Sequence, residues 1–149
     1  MFEHRLFDVD SIEVWNEQLI PSGNYIHQKR KEFLAEFIPV FQRFYSEIGL
    51  DSESVGLEYR SQLNEHSFAD LLQMHAKKDA ATHYSNAGTH KDDLVFTIKN
   101  HPVKKFGSQG QQKSYVIALR LAQYDWMKQH KGLNPVLLLD DIFDKLDNE

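Results

Sequence analysis

The sequence predicts a mixed α/β fold, and three observations predict it. Ile26, Phe33, Phe37, Phe41, Phe44 and Ile48 recur at helical spacing. Val55, Leu57 and Tyr59, and later Leu94, Phe96 and Ile98, alternate with polar or small residues, as half-buried strands do. Toward the C-terminus a long apolar helical pattern runs into a purely aliphatic segment that ends in two carboxylates.

In chain order, Asp10-Ser11-Ile12-Glu13 reads as a capping box with Asp10 as N-cap. Ile12, Trp15 and Leu19 then share a helical face. Pro21-Ser22-Gly23 is expected to kink or interrupt that helix, and Pro39 to kink the next one. Gly49 is a plausible stop, so residues 10–49 read as two helices. Ser67 is expected to cap a short helix that buries Phe68, Leu71, Leu72 and His75. Residues 79–92 are polar and aperiodic, as in a loop. Asn100-His101-Pro102 should turn the chain, with residues 103–106 returning as a hairpin partner. Residues 112–131 predict a helix of about 30 Å at ~1.5 Å per residue, apolar around much of its circumference and released by Gly132 and Asn134. Val136, Leu137, Leu138 and Leu139 lack polar alternation, as expected of a parallel strand covered on both faces.

Two segments carry chemistry. Gly107-Ser108-Gln109-Gly110-Gln111-Gln112 opens the long helix, and a helix N-terminus with glycine and a hydroxyl favours phosphate through its unpaired N–H groups and dipole. Asp140 and Asp141 stand at the end of the aliphatic run, where a nucleotide-hydrolysing sheet holds magnesium. Neighbouring strand residues point to opposite faces, so two adjacent acids can serve two sites. The plainer readings are an ordinary serine N-cap and a solvated acidic turn. Together the segments read as half of an ATPase.

These residues resemble the RecF family, the DNA-repair branch of the ABC-type ATPases that also includes the SMC proteins. Ser108-Gln109-Gly110-Gln111 stands where ABC ATPases carry their signature, Val136 through Asp141 resembles the Walker B strand, and Leu146-Asp147 resembles the D-loop. Gly88-Thr89-His90-Lys91-Asp92-Asp93-Leu94 is similar to a block that RecF proteins place before the signature, with Thr89 replacing the usual proline. Residues 12–33, with Trp15, Asn16, Arg30 and Phe33, resemble the RecF helical arm. The resemblance implies residues 1–50 as part of that arm and 51–149 as the signature and Walker B half of an ABC-type ATPase head. It also implies ATP and Mg2+ as cofactors. Ser108, Gln109, Gly110 and Gln111 would contact ATP held by a second subunit, Asp140 would hold the metal, Asp141 would polarise the attacking water, and Asp147 would touch the partner. An ATP-dependent homodimer on single-stranded or gapped duplex DNA follows. It would act with RecO and RecR to load RecA, in a bacterial, cytoplasmic, nucleoid-associated setting.

No Gly-x-x-x-x-Gly-Lys-Ser/Thr occurs in the sequence, so the resemblance implies an internal or C-terminal piece of a longer protein, inactive alone. Cysteine is absent, which excludes disulfides, thiolate metal sites and a cysteine nucleophile. The net charge of −5 argues against a surface that coats nucleic acid generally. No apolar run approaches the ~20 residues that span a bilayer, and neither a membrane partner nor a secretory leader is expected. The Lys29-Arg30-Lys31 cluster could meet DNA phosphates or be a solvated helix face. The histidines lack metal-ligand spacing. Two alternatives stand beside this reading: an SMC-like or overcoming-lysogeny-type nuclease ATPase, and a non-enzymatic interaction module.

Overall fold

A computed structural model describes residues 9–48, 53–132 and 134–138; for residues 9–11 only the backbone path is described. In order, the elements are α1 (Val9–Glu47), β1 (Val55–Arg60), a 3-10 turn (Gln62–Asn64), α2 (Phe68–Thr82), a second 3-10 turn (Thr89–Lys91), β2 (Asp93–Ile98), β3 (His101–Pro102), α3 (Val103–Phe106) and α4 (Gln109–Lys131). The mixed helix-and-sheet expectation holds. The strands form one three-stranded sheet in the order β1-β2-β3.

The chain divides into two compact units. The first comprises Met1–Glu32 and Tyr59–Asp93. Its core is small: Phe68, Leu71, Leu72 and Ala87, with Ile20 and Leu63 against them. Ser67 caps α2 as expected, its hydroxyl accepting from the Asp70 N–H at 3.1 Å. The helix runs on to Thr82, so the predicted loop is shorter than expected. It ends in left-handed His83, and the 3-10 turn follows Gly88, whose φ of 125° favours glycine.

The second unit comprises Phe33–Glu58 and Leu94–Glu149. Phe37, Phe41 and Tyr45 of α1, Val55 and Leu57 of β1, Ile98 of β2 and Tyr115, Ala118 and Ala122 of α4 share its core. Phe41 is completely buried, with its ring 4.7 Å from that of Tyr115.

Several local expectations are corrected. Residues 10–49 are not two helices: α1 is continuous for 39 residues through Pro21 and Pro39, and Asp10 lies inside it, so it is not the N-cap. Pro21 removes one helical hydrogen bond, but tertiary packing holds the segment. Gly23 is buried, and a Cβ there would stand 2.3 Å from the Phe68 ring. Glycine at 23 is therefore an approach point for an aromatic ring inside the helix. Gly49 lies outside the described residues.

The hairpin turns one residue earlier than predicted. Thr97 pairs with Pro102 and Ile98 with His101 in antiparallel register, leaving Lys99 and Asn100 as a two-residue turn. Both have positive φ, 48° and 64°, the signature of the tight hairpin turn whose twist suits β-strands. Val103–Phe106 is then a single helical turn and not a returning strand. Pro102 lacks the N–H that a longer ladder needs.

Helix α4 begins earlier than predicted, at Gln109 with Ser108 as N-cap, and Gly132 closes it in a left-handed conformation as expected. Residues 134–138 form no strand, and Val136 and Leu138 are 85% and 87% exposed. A parallel strand is made by its neighbours, and among the described strands none borders this segment. Leu139, Asp140, Asp141 and Asp147 lie outside the described residues.

Candidate functional site

Ser108 sits in extended conformation at the start of α4 and closes a reciprocal capping box. Its hydroxyl accepts from the Gln111 N–H at 3.2 Å, and its own N–H donates to Gln111 Oε1 at 2.7 Å. The hydroxyl proton of Ser108 remains to donate. The Gln109 and Gly110 amides occupy the first helical positions, which a helix leaves for an outside acceptor. Ser108, Gln109 and Gly110 are exposed, and Gln111 is half-buried. The expected ligand residues are thus together at one helix start, three of them open to solvent.

Gly110 adds an independent sign. A Cβ there would meet nothing nearer than Ser108 Oγ at 3.9 Å, and its φ is not left-handed. Neither crowding within the described chain nor backbone geometry demands glycine. Glycine in a helix costs about 0.5–1 kcal/mol relative to alanine, so its use here suits close approach by something outside the chain. Gly107 differs: its Cβ would press on the Val103 carbonyl at 2.8 Å, so packing accounts for it.

Gln111 has a second bond that the sequence does not announce. Its Nε2 donates to Glu53 Oε1 at 2.6 Å. Lys99 Nζ lies 3.3 Å from the same oxygen, and the Tyr45 hydroxyl donates to Glu53 Oε2 at 3.1 Å. Burial works against the charge on Glu53, but the donors Gln111, Lys99 and Tyr45 hold its carboxyl below the ordinary range. Burial, and then Glu53, pushes the Tyr45 phenol well up, so it stays a donor. Gln112 faces back toward the chain, donating to the Gly107 carbonyl at 2.8 Å.

The Gly88-to-Asp93 block is anchored through Asp92, while His90, Lys91 and Asp93 are exposed. Asp92 Oδ2 accepts from Arg30 Nη1 and from the Tyr59 hydroxyl, and its side chain is only 5% exposed. Arg30 also donates to the Thr89 carbonyl at 2.7 Å. His27 Nδ1 lies 3.3 Å from Tyr59 Oη. Burial, then Lys31, lowers the His27 pKa, with Arg30 adding to this and Asp92 opposing it. His90 meets the Ser85 carbonyl at 3.0 Å and Lys91 Nζ the Tyr84 hydroxyl at 3.2 Å. The predicted basic cluster is therefore largely paired: Arg30 with Asp92, Lys29 with Glu32 at 2.7 Å.

A groove of about 450 Å³ in the second unit is lined by Phe33, Leu57, Leu94, Phe96 and Val116, together with Arg120 and Gln123. It lacks the converging donors that a triphosphate needs. Among the described residues no three His, Asp or Glu side chains could hold a metal ion together. Among these residues no helix is long and apolar enough to cross a membrane.

No protein-family model matches the chain. Curated proteins do. The Flavobacterium johnsoniae protein named DNA replication and repair protein RecF is 55% identical over 141 residues, 95% of this chain and 39% of that protein. Its namesake in Phocaeicola vulgatus is 47% identical over 142 residues, 95% of this chain and 38% of that protein. The Bacteroides fragilis (strain ATCC 25285) namesake is 46% identical over 134 residues, 90% and 36% of the two chains. Among solved structures, the recombination mediator protein RecF-ATP in the RecFOR pathway superimposes with a TM-score of 0.83 at 23% identity, covering 98% of this chain and 41% of that one. That likeness establishes the fold alone, a mixed helix-and-sheet arrangement shared with part of that RecF chain. The chain is a RecF-family sequence that spans about two fifths of the length of the RecF proteins it matches.

Proposed function

We propose that the complete protein carrying this segment acts in DNA replication and repair, as an ATP-dependent DNA-binding protein whose dimerisation is controlled by nucleotide. The observation that carries this reading is the open N-terminus of α4: Ser108, the amides of Gln109 and Gly110, and a glycine that the chain itself does not require. The names of the matched relatives and the ATP-associated RecF structure support it. Residues 1–50 belong to the arm and 51–149 to the signature and Walker B half of the head.

The residues fit a triphosphate. When bound, ATP supplies the phosphoanhydride that water cleaves and the negative charge that two subunits share. Ser108 would donate a hydrogen bond from its hydroxyl to a phosphate held by the second subunit, and the Gln109 and Gly110 amides would bind the same anion. Gln111 keeps this loop in shape. Asp140 would hold Mg2+, Asp141 would polarise the attacking water, and Asp147 would contact the second subunit. The protein assembles on single-stranded or gapped duplex DNA in the bacterial cytoplasm, at the nucleoid, and works with RecO and RecR to load RecA.

Ser108→Arg in the complete protein tests this. It should leave ATP binding by the protomer normal, abolish ATP-dependent dimerisation measured by light scattering, and leave little DNA-stimulated hydrolysis. One charge-assisted contact of the arginine gives only about 1.5–3 kcal/mol and cannot replace several N–H groups aimed at one anion. An unimpaired ATP-dependent dimer would reduce Ser108 to a helix cap. Asp141→Asn should retain ATP binding and lose hydrolysis; near-wild-type turnover would leave Asp140 and Asp141 as a turn.

A further inference from the structure

We infer that Glu53 is the positioning residue of the Ser108 loop: it fixes the Gln111 side chain that closes the capping box, and so holds the loop ready for the second subunit's triphosphate. This rests on the trans role of Ser108 proposed above.

A capping box needs a glutamine or glutamate whose carbonyl oxygen turns back onto the N-cap amide. An exposed glutamine samples many rotamers, and ordering it costs up to about 2 kcal/mol of entropy. Here that cost is offset by a second bond. The Gln111 amide bridges: its Oε1 accepts from Ser108 N–H at 2.7 Å while its Nε2 donates to Glu53 at 2.6 Å. The same bond sets which end of the amide faces Ser108, because a carboxylate accepts and does not donate. Were the amide reversed, NH2 would meet the Ser108 N–H and the carbonyl would meet Glu53, both repulsive. Glu53 is itself fixed. Its side chain is 11% exposed, and its other oxygen accepts from Tyr45, which is 1% exposed in the core beside Phe41 and Tyr115. The path therefore runs from a core tyrosine on α1 through Glu53 and Gln111 to the Ser108 backbone. The nucleotide-facing residues acquire their orientation from α1 and from the residue that leads into β1.

The test uses the complete protein with Glu53→Ala, Glu53→Gln and, as a stability control, Ile98→Val in the same core. Glutamine at 53 can still accept from Gln111 through its carbonyl and donate to the Tyr45 oxygen. In Glu53→Ala, Mg-ATP affinity of the protomer by calorimetry should be unchanged. The ATP concentration for half-maximal dimerisation should rise about tenfold, the equivalent of one net hydrogen bond, and the Ser108 amide should exchange its hydrogen faster. Glu53→Gln should restore assembly and exchange to near wild type, and Ile98→Val should leave the ATP dependence of assembly unmoved. A Glu53→Ala protein that assembles at wild-type ATP concentrations, or whose Ser108 amide exchanges at the wild-type rate, overturns the inference. Ser108→Arg run alongside separates the causes. If it abolishes the dimer while Glu53→Ala does not, Glu53 alone loses its role; if it too leaves the dimer intact, the trans-nucleotide reading has fallen with it.

Discussion

Asp92 in the first unit and Glu53 in the second are carboxylates in similar company. Each accepts from a tyrosine hydroxyl and lies beside a basic side chain: Tyr59 and Arg30 for Asp92, Tyr45 and Lys99 for Glu53. Their satisfaction differs. Glu53 uses both oxygens. Asp92 takes its donors on Oδ2, while Oδ1 is buried with no partner among the described residues. The surroundings differ in the same sense. Glu53 is attached to a core of ten buried residues, Asp92 to a unit with a core of four. A large core can leave its polar knot free to serve a neighbouring site. A small core leans on its knot for stability, even one that carries the cost of an unmet acceptor, about 1–3 kcal/mol.

That contrast can be broken at its strongest point by Gly23→Val. The added side chain would enter at 2.3–2.5 Å from Phe68 ring carbons, so the ring must move and the small core with it. Overpacking of this kind costs about 1–3 kcal/mol, and the β-branched residue gains only a few tenths in helix propensity. Hydrogen exchange of the α2 amides should accelerate by one to two orders of magnitude; unchanged exchange would mean that the unit does not depend on this contact.

Asp92→Ala should come next, costing about 1–3 kcal/mol because Tyr59 and Arg30 lose their acceptor. Exchange around Thr89–Lys91 should rise more in Asp92→Ala than exchange around Ser108 rises in Glu53→Gln. The reverse order would invert the comparison.

The smallest effect is a pH dependence. The folded state lowers the His27 pKa, chiefly by burial, so folding disfavours its protonation. Stability from this source is complete above the unfolded value of about 6.5 and is lost as pH falls below it and through the lower folded value. Thermal melting of the wild type should fall more between pH 7.5 and 5.5 than that of His27→Gln. Parallel curves would show that His27 titrates as an ordinary surface histidine.

Much of the frame was legible. Val55, Leu57 and Tyr59 read as a strand because alternation is local, and Ser67 read as a cap because its chemistry is local. Ser108 read as an N-cap too, but Gln111, three residues on, stood outside the predicted helix, so the reciprocal capping box was missed. Gly23 misled for the opposite reason: glycine marks both breaks and close packing, and only Phe68, distant in sequence, decides between them. Val136 to Leu138 failed as a strand because pairing is a property of neighbours. Glu53 was not legible. No motif or period marks it, and its partners come from residues 45, 99 and 111.

The hairpin turn at Lys99 and Asn100 has a consequence for how the chain reaches its fold. Two-residue turns of this hand favour Asn-Gly, and a lysine at φ 48° is locally frustrated. Its ammonium reaches Glu53 at 3.3 Å, but the lysine side chain is more than half exposed, and such a contact returns at most about 1 kcal/mol. The hairpin is therefore expected to form late, once Glu53 is in place to receive the lysine, and refolding of Lys99→Gly at the wild-type rate in stopped flow would contradict this.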